Sequence, residues 1–249
     1  MPSAAATNRR SARFLVSPSQ RLDRRMKFAS ISGPRARLAS CQGIVRAGLM
    51  FTRGVFTSPW FRHSSGPVFR GKSVTILNAQ FVSHVGRLVL EDYVELQGAS
   101  QLGISFGENV SIGRGTMIRP SSYYGGEAGV GLRMGDRSSV GAGGFIGCSG
   151  WIEIGNDVMI GPGVRLFSEN HAFDRLDIPI KEQGVNRGQL IIEDDCWIGS
   201  GVTVMSGVRI RRGTVVAAGS VVTRDTAEGS VIAGTPARLL RVRGEDSVA

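Results

Sequence analysis

Four things are scarce in this chain. It has three cysteines in 249 residues, Cys41, Cys148 and Cys196, with no CxxC or paired spacing. That removes a disulfide framework and fits a reducing cytoplasm. Aromatic residues make up 7%, as suits a core too narrow for large rings. No 18-residue apolar run occurs, so no transmembrane helix is expected. Negative charge is nearly missing at one end: residues 1–72 hold 14 Lys or Arg and the single acid Asp23, whereas the remaining 177 hold 16 basic residues against 19 acidic ones. The pI of about 10.7 is therefore a property of a basic arm. Nucleic-acid binding would need basic residues organised on a folded face, and the rest of the chain is slightly acidic, so it is not expected.

What is abundant is glycine, 35 residues, without the three-residue period of collagen. Aliphatic residues recur at every sixth position through Ile192, Ile198, Val204, Ile210, Val216 and Val222. A helix repeats its buried face every 3.6 residues and an ordinary strand every second one, so neither gives that period. The same spacing joins Met134, Val140, Ile146 and Ile152, resumes in a new phase at Ile154, Ile160 and Leu166, and earlier fits Leu90, Leu96 and Leu102, then Ile112 and Ile118. A small or medium residue follows four places on, as at Cys196, Val202, Val208, Thr214 and Ser220, and Gly155, Gly161 and Gly199 directly follow an aliphatic. Each hexad supplies a short strand and a turn, and three hexads close one triangular coil whose aliphatics stack on those of its neighbours. The fold expected is an all-β parallel β-helix. Cys148 and Cys196 fall inside hexads, where a small residue packs well.

The predicted organisation is a basic arm over 1–72, a β-helix over 73–225 with an inserted loop at 167–190, and a C-terminal extension over 226–249. The arm reads as a solvated disordered extension, a peripheral contact with anionic lipid or a transit-like leader, the first being preferred for residues 1–25. Ala36 to Phe56 mixes apolar residues with Arg37, Arg46 and Arg53. It suits a basic amphipathic helix that caps the first coil or, as the second reading, makes a peripheral contact with a membrane.

Chemistry is expected where the period breaks. About 24 residues between Leu166 and Ile192 are ejected from an otherwise regular stack, and long ordered insertions in a solenoid are usually functional. This one carries His171, one of three histidines, beside Glu169, Asn170 and Asp174.

The segment Asn170-His171-Ala-Phe-Asp174, the run from Ile192 to Ser200, the turn Ala218 to Arg224 and the closing Ala233-Gly-Thr-Pro-Ala-Arg238 together resemble the hexapeptide-repeat O-acetyltransferases. Within that family the chain resembles the maltose and galactoside enzymes and those of surface-polysaccharide synthesis. The resemblance covers roughly residues 73–243. It implies a left-handed β-helix, a homotrimer, and acetyl-CoA lying between neighbouring subunits as co-substrate. It also implies a sugar or glycan acceptor, a cytoplasmic location that could be peripheral to the membrane, and no metal. His171 would be the general base, matched to work near neutral pH, with its second ring nitrogen held by Glu169, Asp174 or a backbone carbonyl. The amide of Ser200 would stabilise the oxyanion. Ser200, Ala218, Thr223, Arg224, Arg238 and Arg241 would hold the CoA, the arginines at its phosphates. Trp197 either walls the groove or faces solvent or a neighbouring subunit.

The chain also departs from that pattern. An Asn and an Asp used by the galactoside enzymes fall near Gly141 and Ser149, so the acceptor is not expected to be a simple galactoside. Tyr123, Tyr124 and Glu127 interrupt the repeat and read either as acceptor-lining residues or as a spacer loop. A zinc enzyme of the same fold would need three histidines on neighbouring coils, and only His63, His84 and His171 exist. An N-acyltransferase acting on an amino-sugar nucleotide remains the rival reading, and a non-catalytic scaffold the third.

Overall fold

The computed structural model describes residues 34–120 and 127–245, with side chains from residue 41 onward. The proposed disordered start and Tyr123 and Tyr124 lie outside these residues.

One α-helix, Pro34–Val55, precedes the strands. From Ile44 onward it belongs to the same unit as the coils. Met50 is buried, Phe51 lies 5.8 Å from Phe69 between ring centroids, and Arg46 pairs with Asp92 at 3.2 Å. A Cβ at Gly54 would run into the Val68 carbonyl. The glycine therefore lets the helix backbone approach the first coil closely.

Short parallel strands then wind into three faces. The first holds seven strands, from His63–Ser65 to Arg209–Ile210. The second runs from Val68–Arg70 to Ala237–Val242 and the third from Thr75–Leu77 to Val221–Val222, with nine and seven strands. This is the left-handed parallel β-helix that the resemblance implies. Its interior consists of stacked rows. On the second face Ile112, Val140, Ile160, Ile198, Val216 and Ile232 pair in sequence from coil to coil. On the third, Leu96, Ile118, Ile146, Leu166, Val204 and Val222 do the same. These side chains are almost wholly buried, each contributing about 1.5–3 kcal/mol through removal from water.

The first face explains the change of phase at Ile152 and Ile154. Its strands are longer and point two residues inward, so Leu132, Ile152 and Leu190 form one row and Met134, Ile154, Ile192 and Ile210 a second. Ile192 pairs with Ile210, 18 residues on, but Leu132 pairs with Ile152, 20 residues on. Strict hexads thus hold only in the last coils. Leu102, expected inside, is 63% exposed. Its strand, Ser100–Phe106, adjoins an irregularity between Gly129 and Gly131, and Ile104 and Phe106 take the inward places. The extra residues of that coil shift the phase, and a side chain on a strand changes face with every one-residue slip.

Several polar groups inside the corners are paired. Thr116, Ser138 and Ser168 are buried and donate to the carbonyls of Gly141, Gly155 and Gly147 at 2.7–3.0 Å. Along another corner the carboxyl or amide oxygens of Asp136, Asn156 and Asp194 each accept the backbone N–H of the preceding coil at 2.7–2.8 Å. His84 is also buried, bonded to Ser64 and to the Gly86 carbonyl, and burial lowers its pKa. Gly234 ends the last parallel strand, and Ala237–Val242 folds back antiparallel upon it.

Cys148 and Cys196 are buried, and burial raises both thiol pKa values, that of Cys196 to about 11. Cys41 is exposed. A native chain is expected to release one thiol equivalent with an aromatic disulfide reagent, and Cys41→Ser to remove that reaction. Two or three equivalents would contradict the burial.

Candidate functional site

The insertion leaves the stack at the corner between the third and first faces. It forms a two-stranded antiparallel hairpin, Glu169–His171 with Val185–Arg187, in which His171 stands opposite Val185. Its base is closed by the Gly188 N–H on the Ser168 carbonyl at 2.8 Å. Ser168 in turn ties to the preceding coil by donating to Gly147 and accepting from the Gly150 N–H. Within the loop the Gln183 amide accepts from the Arg175 N–H and donates to the carbonyls of Arg175 and Ile178. The Arg187 guanidinium donates to the carbonyls of Glu127 and Ala128 at 3.2 and 3.3 Å. A brace at each end makes the hairpin an ordered projection.

His171 is exposed at the end of its strand. Among the described residues its ring has no hydrogen-bond partner, so neither Glu169 nor Asp174 orients it within one chain. The hairpin exposes apolar side chains among its charged ones: Leu176 is 99% exposed, and Phe173, Ile180 and Val185 also face outward.

Ser200 and Ala218 occupy a different edge, the corner between the second and third faces. There the N–H of Gly201 donates to Pro162 and that of Gly219 to Ser200, so the turns are stitched coil to coil. Among the described residues the amides of Ser200 and Ala218 themselves donate to no acceptor and are available to a ligand. The glycines before these turns keep the corner tight: a Cβ at Gly199 would sit 2.5 Å from the Ala218 nitrogen, and one at Gly161 2.7 Å from that of Ser200. At Gly141 a Cβ would lie 2.5 Å from the Pro162 nitrogen. No larger side chain fits there without displacing the turn. Ser149 is buried.

The arginines lie toward the C-terminal end. Arg224 and Arg238 line one cavity of about 190 Å³ with Asp225, Thr226 and Leu239. Arg241 pairs across the terminal hairpin with Val231. The Arg238 and Arg241 guanidinium groups reach only the carbonyls of Ala237 and Val242. Among the described residues none of Arg224, Arg238 and Arg241 meets a carboxylate. Neighbouring arginines differ: Arg209 and Arg211 share Glu193, and Arg243 holds Asp195. Three uncompensated guanidinium groups suit a polyanionic ligand. Thr223 is exposed beside them.

Trp197 stands on the outer second face between Met159 and Val215, 53% exposed. Among the described residues no three His, Cys, Asp or Glu side chains converge as a metal-binding group.

One chain therefore brings Arg224 and Arg238 together, and it keeps the His171 hairpin on a different corner from the one that holds Ser200 and Ala218. Sequence reasoning missed the free Ala218 amide and the braces at Gln183 and Arg187. The first had a signal in the corner glycines Gly161 and Gly199, the others none.

The model of the hexapeptide repeat of succinyl-transferase matches residues 189–224. A protein of Mycobacterium tuberculosis named as a probable acetyltransferase is 29% identical over 187 residues, 75% of this chain and 59% of the relative. The galactoside O-acetyltransferase of Lactococcus lactis is 36% identical over 91 residues, 36% of this chain and 42% of that enzyme. The chain thus spans less than two thirds of either relative. Among solved structures, AntD, an N-acyltransferase from Bacillus cereus in complex with dTDP and 3-hydroxybutyryl-CoA, aligns with a TM-score of 0.51 at 19% identity, covering 77% of this chain and 88% of that one. At that identity the likeness is one of fold.

Proposed function

We propose that this chain, a hexapeptide-repeat protein similar to acetyltransferases, transfers acetyl groups from acetyl-CoA to a sugar hydroxyl in the synthesis of a surface polysaccharide or glycolipid. The observation that carries the reading is the ejected hairpin, which presents an exposed imidazole on an ordered support. In this reading His171 removes the hydroxyl proton as the oxygen attacks the thioester carbonyl. The Ser200 amide donates to the oxyanion that forms, at little reorganisation cost because the corner already holds it in place. As the carbon–sulfur bond breaks, the imidazolium of His171 returns its proton to the departing thiolate. The free amide of Ala218 and the tight glycine corner leave room for an extended pantetheine arm, and Arg224, Arg238 and Arg241 supply positive charge for the phosphates.

Because His171 and the Ser200 turn stand on different corners of one chain, the reading requires neighbouring copies, arranged as a homotrimer, to bring His171 of one to the Ser200 corner of the next. The exposed apolar side chains of the hairpin support this, since a contact between copies would remove them from water. An amine acceptor is the second reading. A Staphylococcus aureus N-acetyltransferase, 46% identical over 56 residues, supports it, and His171 would serve either nucleophile.

Calorimetric titration with acetyl-CoA tests the proposal without knowledge of the acceptor: saturable binding near one molecule per chain is expected, and no binding by the folded protein would favour a scaffold. Arg238→Ala is expected to weaken CoA by about tenfold, in line with loss of a charge-assisted hydrogen bond, and to weaken dephospho-CoA less. Equal losses would mean that Arg238 does not meet the 3′-phosphate.

A further inference from the structure

The helix at the start of the solenoid has two apolar faces, and only one is used. Met50 and Gly54 turn toward the first coil, with Phe51 against Phe69. On the far side Val45 and Leu49 follow one another at helical spacing, with Ile44 and Val55 also exposed and Phe56 in the turn directly after the helix. Phe56 is 79% exposed, Ile44 71%, and Trp60, in the turn that follows, 72%. A helix that has already docked one face has no structural need for a second apolar stripe.

Along the sequence, the charge of this region has one sign. No Asp or Glu occurs between Asp23 and Glu91. Arg53, Arg62, Lys72 and Arg87 are exposed. None of the four has a carboxylate partner among the described residues. Arg46 alone is paired, to Asp92 from the next stretch of chain. An exposed aliphatic and aromatic stripe bordered by unpaired basic residues, with a tryptophan at its end, matches the chemistry of an anionic bilayer surface: apolar side chains enter the acyl boundary, basic groups meet headgroup phosphates and the indole sits at the interface. A second copy of this chain would bring the same charge to the contact and so repel it, which argues against pairing stripe to stripe.

We propose that residues 44–60 form a peripheral membrane-docking surface for anionic phospholipid, lying in the plane of the bilayer and seating the first coil against it. No helix among the described residues is long and apolar enough to cross a membrane, so the contact is interfacial. The proposal does not depend on the acetyl-transfer reading.

Flotation of the full chain with vesicles tests it. Vesicles of phosphatidylcholine with about 30% phosphatidylglycerol should carry the protein at least tenfold more strongly than pure phosphatidylcholine, and the preference should shrink as salt rises. Leu49→Ser/Phe56→Ser should lower partitioning by tenfold or more, because two side chains that would enter the acyl boundary are lost. Both residues are exposed, so circular dichroism and the melting temperature of this variant should match the parent. Three results would overturn the proposal: no preference for the anionic vesicles; unchanged binding by the variant, which would assign any attraction to charge alone; or a fall in the variant's mass by light scattering, which would mean that a second copy covers the stripe.

Discussion

Replacement of His171 by alanine is expected to lower turnover by about two to four orders of magnitude, the span usual for loss of a general base, while acetyl-CoA affinity stays nearly unchanged. The separation follows from placement. His171 lies on the hairpin at one corner of the coil, and the CoA candidates lie on another corner and at the C-terminal end. Its ring makes no hydrogen bond among the described residues, so its removal should cost the fold little. Initial rates and calorimetry on the same preparation check both halves. Near-normal turnover would remove His171 from the chemistry, and a parallel loss of acetyl-CoA affinity would place it in binding instead. His171→Gln sharpens the comparison, because it keeps a hydrogen-bonding side chain but cannot take the proton.

The second large effect is expected in the core. Ile198 is fully buried and pairs with Ile160 on one side and Val216 on the other. Truncation to alanine should destabilise by about 2–5 kcal/mol, and to valine by about 0.5–1.5 kcal/mol, because neighbouring coils cannot close fully over the space left. Leu102→Ala, at an exposed position in the same solenoid, should stay within about 0.5 kcal/mol of the parent. Denaturant midpoints for the three variants give the test. A Leu102 variant as damaged as the Ile198 variant would mean that Leu102 packs inward after all.

That contrast marks how far the sequence could be read. From Ile192 to Val222 the coils have the minimal length, so inward residues fall at a fixed interval and the rows are legible. Around Leu102 the coil is longer, and spacing alone cannot tell which corner absorbs the surplus; only the pairing of Leu132 with Ile104 shows it. His171 was visible because it lies where the period fails. The Ser200 corner was reached through resemblance, with the glycines before it as the physical trace. What orients His171 was not legible, and within one chain no described side chain supplies it. The docked face of the helix was open to sequence reading as a cap. The exposed stripe opposite it emerged only once Met50 and Gly54 had shown which side was already taken.

The hydrogen bond from Gly188 to Ser168 separates two kinds of inheritance in this chain. Everything outside it belongs to the coil, where surplus residues must be absorbed within the same coil, as in the 20-residue step from Leu132 to Ile152, if later side chains are to keep their faces. Everything inside it is exempt, because Leu166 and Leu190 hold their places in the stack however the hairpin between them is rebuilt. Such a junction allows the reach, charge and shape of the loop around His171 to be altered without rebuilding the scaffold.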